Sequence, residues 1–281
     1  MNNRAEPLSA NTWRLLITEP IACDGATNMA IDEAMLDGMA DGQSPPTLRF
    51  YAWQPPCVSI GYSQSMPEAV DLARCRRDGV TWVRRITGGR AILHTDELTY
   101  SIALPALEKR VLGGVVESYR RLSKGLLAGL QLLGLDVAQA AAMKEKPTDI
   151  SAACFDVPSH YEITAQGKKL VGSAQVRRKD AVLQHGSLPL TGNVARLVDY
   201  LNLSDGARDT LRTELERRAI TLEDALGKAV PAGKVAQALA QGFAEALQLY
   251  LEPGSLTEQE QDRVQQLCRE KYTNDKWNMQ K

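Results

Sequence analysis

Residues 161–190 read YEITAQGKKLVGSAQVRRKDAVLQHGSLPL, and this stretch indicates how the chain folds. It contains three runs typical of β-strands, at 161–164, 169–176 and 182–190. The dipeptide Gln166-Gly167 separates the first two runs, and the polar residues 178–180 separate the second from the third. Connections this short join antiparallel neighbours. The stretch therefore predicts a three-stranded meander.

The rest of the chain extends this pattern outward from the meander. Further strand-like runs precede it, at 13–18, 48–53, 57–62, 80–86 and 98–104. Apolar residues at helical spacing predict a helix behind Asn28, taken as its N-cap, and a long helix over 115–133. From residue 194 onward the chain is predicted to be helical, with a capping box between Thr257 and Glu260. Strands in hairpin-like runs favour an α+β fold, with a mixed, largely antiparallel sheet flanked by helices.

Composition and charge narrow the possible functions. The chain has 281 residues, 44% of them hydrophobic, which suits one large globular domain or one domain with a small appendage. Thirty-three basic residues against thirty-four acidic ones give a net charge of -1, so nothing points to nucleic acid or an anionic membrane. Five cysteines without CxxC spacing and three scattered histidines predict reduced thiols and no metal site. The polar N-terminus and the lack of a long apolar run predict a cytoplasmic protein.

The first unusual motif is the segment 84–94, which reads RRITGGRAILH between two strand-like runs. Without Cβ atoms, Gly88 and Gly89 can adopt positive φ and bring their backbone N–H groups close to a carbonyl or phosphate. Arg85 can add a forked cationic donor. The alternative is an ordinary glycine turn between solvated arginines, and local composition favours neither interpretation.

The second motif is a cysteine that precedes two strands carrying lysines. Cys154 lies in a predicted loop, and Lys169 follows in the meander. A cysteine is a nucleophile as its thiolate, and a free pKa of about 8.5 leaves only a few per cent ionised at neutral pH. A nearby ammonium would raise that fraction, and Lys169 is the candidate. Two alternatives stay open, namely that Cys154 is a buried small hydrophobe or that His160 is its base.

Together the segments 84–94, 167–175 and 184–188 resemble the signature blocks of the lipoate/biotin protein ligase superfamily, in the same order. Within it, the segments 154–161 and 271–278 resemble the octanoyltransferases of Gram-positive bacteria. The resemblance runs from about Trp13 to the C-terminus. It implies one catalytic domain over 1–281, with a core at about 37–252 and a C-terminal helical extension at 253–281.

The resemblance also implies roles for individual residues. The cysteine matching Cys154 forms an acyl-thioester with octanoate, and the lysine matching Lys169 lowers the pKa of that thiol. Strand alternation allows only one of Lys168 and Lys169 to face the cysteine, and the family match selects Lys169. The residues expected to border the acyl pocket are Arg85, Thr87, Gly88, Gly89, Arg90, His94, Gly172, Ser173, Ala174, His185 and Gly186.

The implied reaction moves octanoyl from acyl carrier protein to a lysine of an apo lipoyl domain, in the glycine-cleavage H protein or a 2-oxoacid dehydrogenase subunit. Because a thioester is already activated, no cofactor, ATP or metal is expected, and a monomer suffices. The rivals are an ATP-dependent lipoate-protein ligase, a lipoyl-domain amidotransferase and a non-catalytic cofactor-sensing repressor. Cys154 and the Arg90 that replaces a third glycine weigh against the ligase. The sequence leaves octanoyl versus lipoyl undecided.

Overall fold

The main sheet has eight strands among the residues that the structure describes. The structure is a computed structural model that describes residues 11–139, 162–178 and 180–280, with the backbone alone at 18–21. The strands lie in the order β11 (Tyr250–Pro253), β1 (Thr12–Cys23), β2 (Thr47–Trp53), β6 (Glu97–Pro105), β10 (Ala181–Pro189), β9 (Lys168–Arg178), β8 (Ile163–Ala165) and β7 (Val137–Gln139). β11, β1 and β2 pair in parallel, and every other pair is antiparallel. The predicted mixed, largely antiparallel sheet is confirmed.

A second sheet carries the segment 84–94. Its strands lie in the order β4 (Thr81–Arg84), β3 (Cys57–Ile60) and β5 (Ile92–His94). β4 runs parallel to β3, and β5 runs antiparallel to it. The short helices α2 (Met66–Ala69) and α3 (Leu72–Arg77) connect β3 to β4. The residues between β4 and β5, numbers 85–91, form the glycine loop.

One face of the main sheet, here called the apolar face, is covered by two packed helices. These are α4 (Val115–Leu132), which confirms the helix predicted over 115–133, and α7 (Ala232–Leu247). Leu126 of α4 and Phe243 of α7 are buried in one core with Tyr100 of β6. The helices touch backbone to backbone, since a Cβ on Gly242 would lie 2.1 Å from the Gly129 nitrogen. Small residues at this crossing allow the close approach.

The opposite face, here called the polar face, is covered by α1 (Gly25–Ala40). Its N-cap is Asp24, whose side chain accepts a hydrogen bond from the Thr27 amide at 2.9 Å. The prediction that Asn28 caps this helix is wrong. Asn28 is buried inside the first turn, where its Nδ2 donates to the Cys23 carbonyl and its Oδ1 accepts from Arg49. The amide ties the helix to β1 and β2.

The C-terminal third is mostly helical. A 3₁₀ turn (Val194–Tyr200), α5 (Asp205–Arg218) and α6 (Leu222–Leu226) precede α7. The predicted capping box of α8 (Glu258–Leu267) is confirmed, with Thr257 and Glu260 bonded reciprocally. A π-helical turn (Cys268–Tyr272) and α9 (Asp275–Asn278) follow.

The prediction of helices alone beyond residue 194 misses one strand. β11 lies at the edge of the main sheet beside β1, and its four residues are too few to show an alternating pattern.

In the part of the chain that the structure describes, no helix combines the length and apolarity needed to cross a bilayer.

Candidate active site

A narrow pocket lies between the polar face of the main sheet and the second sheet. Thr99 and His185 line it from the main sheet, Ser59 and His94 line it from the second sheet, and Met29 contributes from α1. Its empty space, mouth included, is about 370 Å³, of which about 20 Å³ admits the centre of a water molecule. The space open to a water centre is far below the volume of typical ligand sites, so the pocket is a narrow slit in this structure.

The slit brings together seven of the residues predicted to bind the acyl group. They are Arg85, His94, Gly172, Ser173, Ala174, His185 and Gly186. Gly172 and Ala174 pair with Ser187 and His185 of β10, so they lie on the polar face. The Ser173 hydroxyl lies on the apolar face, 2.8 Å from the Tyr100 hydroxyl. Ser173 therefore borders the slit through its backbone.

Arg85 holds the glycine loop in place. Its Nη2 donates to the carbonyls of Gly88 at 3.0 Å and Arg90 at 2.7 Å, and its Nη1 donates to the Ser59 hydroxyl at 3.0 Å. The Arg85 guanidinium, which the sequence predicts to bind a ligand, is therefore hydrogen-bonded to the glycine loop itself. Direct binding of substrate by Arg85 stays a prediction.

Gly88 and Gly89 form the exposed tip of the glycine loop. A Cβ at Gly88 would meet nothing within 4 Å, and Gly89 has φ of 96°. Only glycine adopts that φ without strain. Gly61 packs directly on the loop, since a Cβ there would lie 2.0 Å from the Gly89 carbonyl oxygen. The half-buried Arg90 has an Nη1 atom without a hydrogen-bond partner among the described residues.

His185 joins the glycine loop to α1. Its Nδ1 lies 3.0 Å from an Asp32 carboxylate oxygen, and its Nε2 lies 2.7 Å from the Thr87 hydroxyl. Because Nδ1 faces a carboxylate, we assign the proton to Nδ1, so that Thr87 donates to Nε2. Asp32 also accepts hydrogen bonds from Arg49 at 2.8 Å and from Tyr51 at 2.9 Å. The predicted site residues Thr87 and His185 therefore belong to one buried network.

The protonation states in this network follow from burial and its partners. Burial favours a higher pKa for Asp32, but the hydrogen bond from His185 and the Arg49 charge outweigh it, so the pKa lies below its ordinary value. Burial lowers the pKa of His185, and this effect exceeds the opposing pull of Asp32. The result is a neutral imidazole held by a charged carboxylate.

His94 repeats the same arrangement on the second sheet. Its Nδ1 lies 2.9 Å from Glu97, its Nε2 lies 2.7 Å from the Ser59 hydroxyl, and its ring stacks on Trp53 at 3.8 Å between centroids. Burial again acts to raise the pKa of Glu97, and His94 with the hydroxyl donors lowers it overall. The polar atoms of each network are hydrogen-bonded within that network, and the exposed lining of the slit is mostly apolar.

Asp32, Glu97 and Ser59 were not among the predicted site residues. One signal was available at Asp32 and Glu33, since consecutive acids interrupt an otherwise apolar helical pattern. A carboxylate on the buried face of a helix needs a partner, and that need points to function or to a structural network. Glu97 and Ser59 carry no comparable signal, because their partners come from other strands.

A β-bulge in β9 determines which lysine lies on the polar face. Lys169 pairs with Thr164 and Val171 pairs with Ile163, so Leu170 is the extra residue. Both Val171 and Ile163 belong to the core of the apolar face. Lys169 therefore lies on the opposite face, with Gly172 and Ala174. Strict alternation from Gly172 would have placed Lys168 there instead.

The two lysines have different surroundings. Lys169 is 6% exposed, and its Nζ lies 2.5 Å from the Glu162 carboxylate, which is also buried. The Lys168 ammonium donates to the Glu216 carbonyl at 2.8 Å, and that contact is exposed. The chemistry assigned to Lys169 stays a prediction, since neither lysine is among the residues that line the slit.

The predicted nucleophile Cys154 and the alternative base His160 lie outside the described residues. Of the other cysteines, Cys57 and Cys75 are buried, and burial raises the pKa of Cys57 to about 12 and that of Cys75 to about 11. These two are therefore poor nucleophiles. Among residues 11–139, 162–178 and 180–280, no three acidic, histidine or cysteine side chains cluster as metal ligands.

Residues 24–244 match the family model of the lipoyl protein ligase A/B catalytic domain. A protein of Kyrpidia tusciae named octanoyltransferase LipM is 46% identical over 275 residues, which cover 96% of this chain and 99% of that protein. A protein of Geobacillus kaustophilus with the same name is 38% identical, over 98% of this chain and 100% of its own length.

Solved structures show the same fold. A chain from the bipartite lipoate protein ligase and E2 lipoyl domain study of Thermoplasma acidophilum is similar with a TM-score of 0.79 at 26% identity, over 96% of each chain. A lipoate-protein ligase A bound with ATP is similar with a TM-score of 0.77 at 27% identity, over 95% of this chain and 98% of that chain.

Proposed function

This chain belongs to the lipoyl protein ligase A/B catalytic domain family, and we propose that it transfers octanoyl from octanoyl-acyl carrier protein to a lipoyl-domain lysine, through Cys154. The observation that carries the proposal is similarity over nearly the whole chain to proteins named octanoyltransferase. The slit supports it, because walls of carbon atoms suit an alkyl chain.

In the first half reaction, the Cys154 thiolate attacks the carbonyl carbon of the donor thioester. The new carbon–sulfur bond forms, the bond to the carrier thiol breaks, and the carrier leaves with the proton that Cys154 gave up. The Lys169 ammonium stabilises the attacking thiolate. The bulge at Leu170 places Lys169 on the polar face of the main sheet, the face on which the slit lies. The carrier protein is then released from octanoyl-Cys154.

In the second half reaction, a neutral lysine amine of the acceptor attacks the acyl-enzyme. The amide bond forms, the bond to the Cys154 sulfur breaks, and the proton lost by the amine passes to that sulfur, which restores the thiol. Both tetrahedral intermediates carry an oxyanion, which needs preorganised N–H donors. The open space at Gly88 suits the glycine loop for such close contact.

We also propose the domain organisation and the partners that the sequence predicts. The chain works as one catalytic domain, with its core at about 37–252 and a helical extension at 253–281. Its partners are octanoyl-acyl carrier protein as donor, and the apo lipoyl domain of the glycine-cleavage H protein or of a 2-oxoacid dehydrogenase subunit as acceptor. It acts as a monomer in the cytoplasm, without a cofactor, metal or ATP.

One observation favours a second candidate, an ATP-dependent lipoate-protein ligase. A solved structure similar to this chain over 95% of its length is a lipoate-protein ligase A bound with ATP. In that reaction the acid is activated as an adenylate, and no thiol relay is needed. The identity of 27% to that protein, against 46% to the octanoyltransferase, makes it the lesser candidate.

The proposal is tested by offering three acyl donors to an apo lipoyl domain and weighing the product by mass spectrometry. The donors are octanoyl-acyl carrier protein without ATP, free octanoate or lipoate with ATP and Mg²⁺, and an octanoylated second lipoyl domain. We expect octanoyl on the acceptor with the first donor alone. Modification only with ATP would establish the ligase instead, and modification only from the second lipoyl domain would establish the amidotransferase.

A further inference from the structure

The last described residues of the chain reach back to the glycine loop. This segment, residues 268–280, is here called the C-terminal clamp. Trp277 donates its Nε1–H to the Arg84 carbonyl at 2.9 Å, and the Asn278 side-chain oxygen accepts from the Arg84 amide at 2.9 Å. Arg84 is the last residue of β4, and the glycine loop begins at the next position. The clamp therefore holds the point where the glycine loop leaves the sheet.

The Arg84 side chain is the centre of this contact. It is wholly buried, and its guanidinium donates to main-chain carbonyls from two separate segments. Nε donates to Trp277 at 3.0 Å and Nη2 donates to Asn278 at 3.1 Å, both in the clamp. Nη1 donates to Tyr62 at 2.8 Å and Gln64 at 2.5 Å, in the turn 61–64 that follows β3. A buried guanidinium is stable only when its N–H groups have hydrogen-bond acceptors. Loss of the carbonyls of one segment would therefore destabilise the Arg84 side chain and its hydrogen bonds to the other segment.

The turn 61–64 in turn supports the glycine loop. The Tyr62 amide donates to the Thr87 carbonyl at 2.9 Å, and Gly61 lies against the Gly89 carbonyl. The Tyr62 ring also packs near Trp277, with 6.0 Å between centroids. A continuous set of contacts thus runs from the clamp, through Arg84 and the turn, to Thr87 and Gly89.

The clamp is anchored at its other end to α1. The Glu33 carboxylate accepts from Lys271 at 2.6 Å, from the Tyr272 hydroxyl at 2.5 Å and from Arg178 at 2.7 Å. Burial acts to raise the pKa of Glu33, and its partners Lys271, Tyr272 and Arg178 together lower it below its ordinary value. Glu33 is adjacent to Asp32, which holds His185 of the slit. The clamp therefore contacts α1, through Glu33, as well as the start of the glycine loop, through Arg84.

We propose that the C-terminal clamp is a positioning element for the acyl-donor site, which fixes the glycine loop through Arg84 and the turn 61–64. This inference rests on the proposed octanoyl transfer for its kinetic arm alone. A loop without this support samples more conformations, and each displaced donor weakens stabilisation of the transition state.

The test uses the full chain, with Asn278→Ala as the main variant and Trp277→Phe as a milder one that removes the Nε1–H donor but keeps an aromatic ring. Asn202→Ala is the matched control, since its side chain donates an exposed hydrogen bond to the Pro67 carbonyl, which belongs to neither the clamp nor the glycine loop. Hydrogen exchange measures the exchange rates of the backbone amides of Thr87 to Arg90 and of α4. Rapid quench with octanoyl-acyl carrier protein reads the rate constant of enzyme acylation and the half-saturating donor concentration.

We expect exchange in the glycine loop to accelerate about tenfold or more in Asn278→Ala, while exchange in α4 is unchanged. Acylation should slow by about 10- to 100-fold, since small misplacements cost rates of this order. Trp277→Phe should shift both readouts in the same direction by less, and Asn202→Ala neither. Wild-type exchange and acylation in both folded clamp variants would overturn the inference. If wild type itself is never acylated, the proposed function fails, and the exchange arm still decides the role of the clamp.

Discussion

Both faces of the main sheet are covered by helices, but different interactions hold those helices in place. The apolar face is closed by α4 and α7, whose glycines bring backbones into contact around Phe243. The polar face is closed by α1, and there the carboxylate of Asp32 receives donors from Arg49, Tyr51 and His185. One face depends on close backbone packing, and the other combines its own apolar core with a buried network of charges.

This difference shows where the fold is specified and where function can be placed. A well-packed apolar face contributes stability and tolerates no added volume. A buried network of charges contributes little net stability, but it fixes the positions of side chains and is destabilised strongly when one partner is lost. The slit lies on the face of this second kind. Four predictions separate the two faces, in decreasing order of expected effect.

The largest effect is expected from Asp32→Asn. The change leaves Arg49 buried without its counter-charge, which should lower the free energy of unfolding by about 3–5 kcal/mol. Asp37→Asn on the same helix removes a half-exposed pair with Arg263, so it should cost at most about 1 kcal/mol. Urea denaturation of both variants measures the difference. Equal losses would mean that the polar face is not held by its buried charge.

The next effect concerns the two lysines of β9. Lys169→Met should slow acylation of Cys154 about 100-fold or more, because the thiolate loses its cation. Lys168→Met should stay within about threefold, because its ammonium contacts an exposed carbonyl on α5. Rapid-quench acylation, with thermal unfolding to check folding, measures both. A larger loss in Lys168→Met would contradict the register set by the bulge.

On the apolar face, Gly242→Ala should lower the free energy of unfolding by about 1–3 kcal/mol, because its Cβ would overlap the Gly129 backbone. Gly233→Ala, on the same helix with no atom within 4 Å of its new Cβ, should be neutral or stabilising by up to about 1 kcal/mol. Denaturant unfolding reads stability, and activity per folded molecule should be unchanged in both. Impaired catalysis in folded Gly242→Ala would show that the faces are coupled.

Acidification should weaken the polar face gradually. The pKa values of Asp32, Glu33 and Glu97 lie below their ordinary values, so the unfolded chain binds more protons than the folded one. Their contribution is complete above the ordinary carboxyl pKa of about 4 and is lost as the pH falls toward the lowered values. The lowered pKa of His185 acts in the same direction below about pH 6.5.

The slope of stability against pH reports these carboxylates and the imidazole. Each net proton changes the slope by about 1.4 kcal/mol per pH unit. Urea unfolding between pH 7 and 3 should show stability falling with pH in wild type, and a shallower fall in Asp32→Asn. Stability that is constant or rises on acidification would contradict the assigned charge states.

The sequence predicted the parts of the molecule that depend on local pattern. The meander and the long helix over 115–133 follow from periodicity, and the capping box at Thr257 follows from a short motif. The prediction of an N-cap at Asn28 was wrong and the strand β11 was missed, since Asn28 is fixed by contacts with β1 and β2 and β11 only by pairing with β1.

The site shows the same division between local and distant signals. The double glycine Gly88-Gly89 predicted a tight loop, which the structure has, and its approach to a ligand stays a prediction. The bulge at Leu170 was not, because register depends on pairing with β8, and alternation alone would have chosen Lys168. Asp32 reaches His185 across 153 positions, a separation that no local pattern encodes.

The central claim is the thiol relay, and intact mass spectrometry tests it most directly. Wild type, Cys154→Ala and Cys23→Ala are incubated with octanoyl-acyl carrier protein without ATP, then weighed under mildly acidic, non-reducing conditions. We predict an octanoyl adduct on wild type and Cys23→Ala that hydroxylamine removes, and no adduct on Cys154→Ala. An adduct that persists in Cys154→Ala, or none on wild type while the acceptor is still octanoylated, would contradict the relay.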